Sequence, residues 1–161
     1  ENNLANIEET ISAIDQLAMK TIWIGPNVDA GSDGISQGIR KYWENQQPPF
    51  LKLLKEIPIE YYGILLRHAS CLIGNSSSGI RESAFVGTPV VNIGTRQASR
   101  QRGANVIDVN YDRAEIKTAI KKQLEHGNFE QNFLYGNGKA GQKIARHLGE
   151  FSFDSQKLIT Y

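Results

Sequence analysis

Short apolar runs alternate along this chain with stretches in which apolar residues recur every three or four positions. The first pattern is typical of buried β-strands and the second of amphipathic helices. Strands that alternate with helices pair in parallel, and their right-handed crossovers place helices on both faces of the sheet. The sequence therefore predicts an α/β fold, a Rossmann-like parallel sheet with helices on both faces.

The predicted elements follow one another with no linker, repeat or low-complexity segment between them. Asp112 is the expected N-cap of the last strong helix, and Gly87 is the expected left-handed cap that ends a short one. The predicted strands span residues 21–25, 50–54, 71–73, 89–93 and 106–109, and the predicted helices include residues 4–17, 35–43, 59–69, 79–86, 116–124 and 144–148.

Composition excludes several classes of protein. The 161 residues carry 18 Lys and Arg against 17 Asp and Glu, for a net charge of +1. This balance, without a block of like charge, argues against nucleic acid or an acidic membrane as a partner. Neither a membrane-spanning run nor a signal peptide is apparent, and the lone Cys71 suits a reducing compartment. We expect one cytoplasmic domain, and because the chain opens on Glu1 in a helical pattern, a fragment of a longer protein.

Three segments that follow predicted strands are rich in small and polar residues. They are residues 26–31 after the first strand, 74–82 after the third and 94–96 after the fourth. In open parallel sheets, ligands bind outside the carboxyl ends of the strands, so these segments should face one crevice. The sequence therefore predicts a single ligand site built from three loops.

The middle segment, GNSSSGIRE, is the most informative of the three. Its three serines precede Gly79 at the predicted start of a helix, where free N–H groups, hydroxyls and the helix dipole favour an anion. Gly79 lacks the Cβ that would keep a phosphate from the backbone. Glu82 can accept hydrogen bonds from a pair of ribose hydroxyls. Serines at a helix start also serve as N-caps, and Glu82 can complete a capping box, so capping and ligand binding stay as alternatives.

The remaining polar residues add one candidate ligand and no catalytic group. Arg96, just after the fourth strand, can pair bidentately with a diphosphate, the alternative being a solvated loop arginine. Arg100 and Arg102 are expected to be mostly solvated. No Walker pattern, GxGxxG fingerprint, GxSxG elbow or metal-ligand spacing occurs. The residues alone thus predict a site for a phosphorylated ligand, with no cofactor, metal or complete catalytic set.

Two stretches resemble a known family. CLIGNSSSGIRESAFVGTPVVNIGTRQASRQRGANVIDV, with GPNVDAGSDG upstream, is similar to the carboxyl-terminal domain of hydrolysing UDP-N-acetylglucosamine 2-epimerases, the enzymes that open sialic-acid synthesis. The ordered motifs match from about Trp23 to Lys122. The resemblance implies a GT-B-type architecture, with a UDP-sugar between two Rossmann-like domains. This chain would be the UDP-binding half, its amino-terminal domain would be missing, and the full-length enzyme would be a homodimer.

The resemblance also implies roles for individual residues. Ser76 and Ser77 match the serines that hold the diphosphate, and Glu82 matches the glutamate that binds the ribose hydroxyls. Arg96 and Asn27 match residues at the nucleotide site, and Ile57 falls where the family's backbone meets the uracil. Together with the anion site predicted from the residues, the expected UDP-binding set is Asn27, Ile57, Ser76, Ser77, Ser78, Gly79, Glu82 and Arg96.

In the family, the acidic residues that move the C2 proton lie in the amino-terminal domain, so the resemblance implies that this chain has no turnover alone. The full-length enzyme would eliminate UDP to give a 2-acetamidoglucal, then add water at C1 with inversion at C2 to give N-acetylmannosamine. A non-hydrolysing epimerase, an epimerase for a modified UDP-sugar, a GT-B glycosyltransferase and a non-enzymatic nucleotide-binding module stay as alternatives. The resemblance also places a strand before the first helix, and its removal would open a slot in the centre of the sheet.

Overall fold

The computed structural model describes residues 3–26 and 32–152. Within them, parallel strands alternate with helices, as predicted. The strands are β1 (Thr21–Ile24), β2 (Leu51–Leu54), β3 (Leu72–Gly74), β4 (Val90–Ile93) and β5 (Val106–Val109). The helices are α1 (Asn3–Leu17), α2 (Ser32–Gln46), α3 (Ile59–His68), α4 (Glu82–Val86), α5 (Arg113–His126) and α6 (Ala140–Glu150), and a short 3₁₀ helix covers Ser77–Gly79.

The strands pair in parallel but in two groups. One sheet contains β1 and β2, and the other has the order β3-β4-β5. No strand ladder joins β1 to β3 among the described residues. On one face, α1 contacts both α2, which connects β1 to β2, and α5, which packs on β4. The described strands therefore form two separate parallel sheets.

The core shows that helices cover both faces of the three-stranded sheet. Side chains alternate between faces along a strand. Val91 and Ile93 of β4 lie in one buried cluster with Ala13 of α1 and Ile116 of α5. Val90 faces the other way and lies beside the 3₁₀ turn. All four residues of β4 are buried, whereas residues 71–73, the fully apolar run predicted to be covered on both faces, are only half-buried. The predicted Rossmann-like α/β class is confirmed.

An ion pair joins α1 to the start of α5. Arg113 donates from Nε and Nη2 to the two carboxylate oxygens of Glu9 at 2.9 and 2.6 Å, and its backbone N–H also donates to Glu9. These hydrogen bonds from Arg113 lower the pKa of Glu9 below its ordinary value of 4.5. The pair thus ties α1 to the first turn of α5.

We expect Glu9→Gln to lower the melting temperature slightly at pH 7 and to lower it less at pH 3. Because the folded pKa of Glu9 is lowered, its contribution is present above its ordinary value of 4.5 and is lost as the pH falls through the lowered value. Thermal unfolding of wild type and variant at pH 7, 5 and 3 measures this, with the exposed Glu125→Gln in α5 as the control. A difference in melting temperature that is the same at all three pH values would mean that Glu9 acts by packing rather than by charge.

None of the described helices is long and apolar enough to span a membrane. The last helix, α6, has no buried residue. Ile144, Leu148 and Phe151, spaced by four and three positions, are all exposed and form an apolar stripe along it and just beyond its end.

Candidate functional site

The serine loop, defined here as residues 75–81, follows β3 and forms the 3₁₀ turn. Ser76 is its N-cap: its Oγ accepts a hydrogen bond from the N–H of Ser78 at 3.3 Å. The N–H groups of Ser76 and Ser77 donate to none of the described residues. Two hydroxyls and two N–H groups of adjacent residues are therefore available to an anion, so capping and ligand binding are compatible here.

The regular helix after this loop begins later than predicted. The expected helix from residue 79 is replaced by the 3₁₀ turn, and α4 begins at Glu82 and has five residues. The turn is tight because its last residue, Gly79, lies against β4. A helix this short has a small dipole, so the attraction for an anion comes from the hydroxyls and N–H groups of the serines more than from α4.

The structure gives Gly79 a different role from the predicted one. A Cβ at this position would lie 3.1 Å from Val90 Cγ1 and 3.5 Å from Leu72 Cδ2. The N–H of Gly79 also donates to the carbonyl oxygen of Ser76 at 3.0 Å. The expectation that the glycine opens the backbone to a phosphate is therefore corrected: Gly79 allows the serine loop to pack closely on β3 and β4.

A buried chain of polar groups anchors the serine loop to β5. Ser83 Oγ donates to the carbonyl oxygen of Gly79 at 2.6 Å, and Asn105 Nδ2 donates to Ser83 Oγ at 3.1 Å and to the Thr88 carbonyl at 2.8 Å. Gln123 of α5 donates in turn to the Asn105 carbonyl at 2.8 Å. The sequence did not predict these residues as part of the site. Their polar side chains at otherwise apolar positions could have indicated such a network, because buried polar groups are rarely left unpaired.

Tyr62 connects the serine loop to α3. Its hydroxyl lies 2.6 Å from Ser78 Oγ, a contact in which either oxygen can donate. Tyr62 follows Ile57 by five residues, so this hydrogen bond brings the segment after β2 to the serine loop. Spacing alone gave no reason to select a tyrosine in an amphipathic helix.

Ile57 lines an apolar groove of about 490 Å³ between α3 and the two-stranded sheet. Its apolar lining is Ile22, Leu54, Ile57, Pro58, Tyr61, Ile64 and Leu65. Ile22 of β1 and Ile64 of α3 are largely exposed here, 46% and 58% respectively. The groove lies along β1 on the side of α3, and exposed apolar area of this kind usually marks a surface that another segment covers.

The loop after β4 carries Arg96 and is fixed by its neighbours. Gln97 is buried, and its Nε2 donates to the carbonyl oxygen of Asn75 at 2.9 Å, immediately before Ser76. Arg102 donates from Nη1 to the Gln97 carbonyl at 2.9 Å. Arg96 is exposed. The loops after β3 and β4 are thus joined directly, as the prediction of one shared edge requires.

Arg102 is not the solvated residue that the sequence predicts. It is 22% exposed and forms a bidentate pair with Asp108 of β5, at 2.5 and 2.9 Å. Asn92 of β4 donates to the same carboxylate at 2.7 Å. Burial favours a higher pKa for Asp108, but the hydrogen bonds from Arg102 and Asn92 outweigh it and leave the pKa below its ordinary value.

Comparison with known proteins identifies the family of this chain. A model of the UDP-N-acetylglucosamine 2-epimerase family matches residues 1–149. The chain belongs to this family. A Neisseria meningitidis UDP-N-acetylglucosamine 2-epimerase is 36% identical over 126 residues, 78% of this chain and 32% of that protein. A Legionella pneumophila hydrolysing UDP-N,N'-diacetylbacillosamine 2-epimerase is 30% identical over 151 residues, 94% of this chain and 39% of that protein.

Solved structures show the same fold. A crystal structure of the Methanocaldococcus jannaschii UDP-GlcNAc 2-epimerase, in complex with UDP-GlcNAc and UDP, matches with a TM-score of 0.68 and 18% identity, over 92% of this chain and 41% of that one. The likeness supports a GT-B-type, epimerase-family fold. This chain spans about a third of the length of the curated relatives it matches.

Within this epimerase-family fold, most of the predicted site residues lie in connected loops. Ser78 contacts α3, and Asn75, next to Ser76, contacts the loop of Arg96. Glu82 is exposed at the start of α4. Asn27 lies outside the described residues, although Gly25 before it donates to the Leu54 carbonyl at the end of β2.

Two further expectations concern reactivity. Burial raises the pKa of the Cys71 thiol to about 12, which confirms that this cysteine is poorly reactive. Among the described residues, no group of three His, Cys, Asp or Glu is arranged to hold a metal ion. What the described site offers is hydrogen-bond donors and one candidate arginine for a phosphorylated ligand.

Proposed function

We propose that residues 1–161 are the carboxyl-terminal, UDP-binding half of a hydrolysing UDP-N-acetylglucosamine 2-epimerase. The observation that carries this proposal is the serine loop, where the hydroxyls and free N–H groups of Ser76 and Ser77 form a compact set of donors. Hydrogen bonds from neutral donors to a charged diphosphate are stronger than those between neutral groups. Membership of the epimerase family makes UDP the natural ligand of this set.

In this proposal each predicted residue has one task. The serine hydroxyls and Arg96 hold the diphosphate, Glu82 accepts hydrogen bonds from the ribose hydroxyls, and the backbone at Ile57 meets the uracil. Asn27 and Ser78 complete the UDP site, and Gly79 lets the serine loop pack closely on β3 and β4. When the bond from C1 of the sugar to UDP breaks, negative charge grows on the leaving diphosphate. Donors that already point at these oxygens stabilise that charge, and this is the contribution of the chain to the reaction.

The groups that move the C2 proton belong, in this proposal, to an amino-terminal domain outside these residues. The exposed apolar groove beside α3 supports this arrangement, because exposed apolar area of this kind usually marks a surface that another segment covers. We propose that the complete enzyme is a cytoplasmic homodimer and that this chain alone binds UDP without turnover.

The binding part of the proposal is tested by calorimetric titration of the purified chain with UDP. We expect saturable binding of one UDP per chain, with a dissociation constant at the weak end of the range of about 1 μM to 1 mM common for enzyme substrates. Uridine, which lacks the diphosphate, is the control and should bind at least about tenfold more weakly. Titrations in which UDP gives no saturable heat, or in which uridine binds equally well, would contradict the assignment of the serine loop.

The reaction is tested on the full-length enzyme, by NMR analysis of products formed from UDP-N-acetylglucosamine. Free N-acetylmannosamine with UDP supports the hydrolysing reaction, whereas UDP-N-acetylmannosamine would show a non-hydrolysing epimerase. Release of N-acetylmannosamine by the 161-residue chain alone would contradict the placement of catalysis elsewhere. Transfer of the sugar to another acceptor, or no reaction, would favour a glycosyltransferase or a binding module.

A modified sugar is the second candidate substrate. Two relatives, from Legionella pneumophila and Campylobacter jejuni, are hydrolysing 2-epimerases of UDP-linked or GDP- and UDP-linked N,N'-diacetylbacillosamine. Both act with hydrolysis, which supports that outcome here. The same NMR assay with UDP-N,N'-diacetylbacillosamine decides between the sugars, since the true substrate should give the higher kcat/KM.

A further inference from the structure

A buried glutamine links the two loops that carry the proposed diphosphate ligands. Gln97 lies four residues beyond the end of β4 in an otherwise exposed loop, yet only 4% of it is exposed. Its Nε2 donates to the carbonyl oxygen of Asn75 at 2.9 Å. Its Oε1 is also buried and meets no donor among the described residues. A buried amide that is only half paired contributes less to stability than an apolar side chain of the same size, so stability alone does not account for a glutamine here.

Arg102 fixes the same loop from the side of β5. One of its nitrogens, Nη1, donates to the carbonyl oxygens of Gln97 and Arg100. Nε and Nη2 hold both oxygens of Asp108, whose strand is paired with β4. A lysine cannot reproduce this geometry, because only a guanidinium can grip a carboxylate bidentately and still donate to a carbonyl on another side.

Arg96 therefore sits between two fixed points. Before it, Gly94 has φ +76° and donates to the Val109 carbonyl at 2.8 Å, and a Cβ on Gly94 would lie 2.4 Å from the ring of Tyr111. After it, Gln97 is held on both its side chain and its carbonyl oxygen. The backbone that presents Arg96 has little freedom, and it is tied through Asn75 to Ser76. Groups that are ordered before binding lose less entropy when the ligand arrives.

We infer that Gln97 and Arg102 are positioning residues, which hold Arg96 and the serine loop in register so that both meet one diphosphate group of a nucleoside diphosphate. Neither touches the ligand. Gln97 connects the loops after β3 and β4, and Arg102 holds the Gln97 backbone to β5 through its pair with Asp108. This inference rests on the proposed UDP site and adds how two separate loops come to act on the same phosphates.

The experiment titrates UDP and UMP into the chain and into Gln97→Met and Arg102→Lys. We expect each variant to bind UDP three- to tenfold more weakly. UMP, which has a single phosphate and cannot engage both loops fully, should lose much less, so the ratio of UDP to UMP affinity falls. Gln97→Met should keep the wild-type melting temperature, since methionine fills the same volume without a half-paired amide. The exposed Gln101→Met and Arg67→Lys are matched controls and should bind both nucleotides normally.

The outcomes separate this inference from the proposed function. If the wild-type chain does not bind UDP, the proposed function fails and the positioning role fails with it. If the wild type binds UDP and both variants bind it equally well, the UDP site stands and the positioning role is overturned. Equal losses for UDP and UMP, together with a lower melting temperature, would show general loosening and would also overturn it. A selective loss for UDP in a variant with unchanged melting temperature supports it.

Discussion

Replacing both Ser76 and Ser77 with alanine should weaken the binding of UDP by at least about 100-fold, because in the proposed site each hydroxyl donates to a charged diphosphate. A hydrogen bond to a charged group contributes about 1.5–3 kcal/mol, and a tenfold change in affinity corresponds to about 1.4 kcal/mol. The free N–H groups of the two residues are unchanged by the substitutions, so some binding should remain. Calorimetric titration of the wild type and the double variant measures the ratio.

The same variant separates ligand binding from capping. If Ser76 is only an N-cap, its loss should lower the free energy of unfolding by about 0.5–2 kcal/mol and leave the affinity of the folded protein for UDP unchanged. If the serines hold the diphosphate, affinity should fall far more than stability. Urea denaturation beside the titration reads both quantities, and Ser70→Ala, an exposed serine just before β3, is the control. An unchanged affinity for UDP would mean that the two serine hydroxyls have only a structural role.

The helices and strands were predictable, and so was the sheet edge at which the polar loops lie, because local sequence patterns determine them. The segment 89–93, with its proline at the first position, predicts a strand, and β4 forms there with all four of its residues buried. The small and polar residues after β3 and β4 predict loops at one edge, and the Gln97–Asn75 hydrogen bond joins those loops. Asp112 accepts from the N–H groups of Ala114 and Glu115, as its predicted capping role requires.

Contacts between distant elements were less accessible from the sequence. Arg102 and Asp108 are six residues apart across a loop and the start of a strand, a spacing with no regular periodicity, so their pair could not be told from two solvated charges. Gly79 has the same difficulty: a glycine beside serines fits a phosphate site and a close packing contact equally well, and only the position of Val90 decides.

Replacing Asn105 with alanine should lower the free energy of unfolding by about 3 kcal/mol. The amide of Asn105 is 3% exposed and donates to both Ser83 Oγ and the Thr88 carbonyl. Its removal costs two hydrogen bonds, leaves buried acceptors without this donor and creates a cavity, three effects of about 1 kcal/mol or more each. For a chain of this size the melting temperature should fall by roughly 10 °C. Urea denaturation checks the free energy, with the exposed Asn128→Ala as the control.

Asn105→Asp leaves no cavity, because it keeps the shape of the side chain and replaces the amide donor with a second oxygen that is charged when the group is ionised. At pH 7 a carboxylate would face the Thr88 carbonyl oxygen, and we expect this variant to be at least as unstable as Asn105→Ala. Near pH 4 the new carboxyl can take up a proton and donate a hydrogen bond to that oxygen, so part of the loss in stability should be recovered relative to wild type.

The same variant should also affect ligand binding. Ser83, which Asn105 contacts, also donates to the Gly79 carbonyl, so UDP should stabilise Asn105→Asp more at pH 4 than at pH 7. A variant as stable as wild type at pH 7 would mean that water replaces the amide, and that the serine loop does not depend on this buried chain.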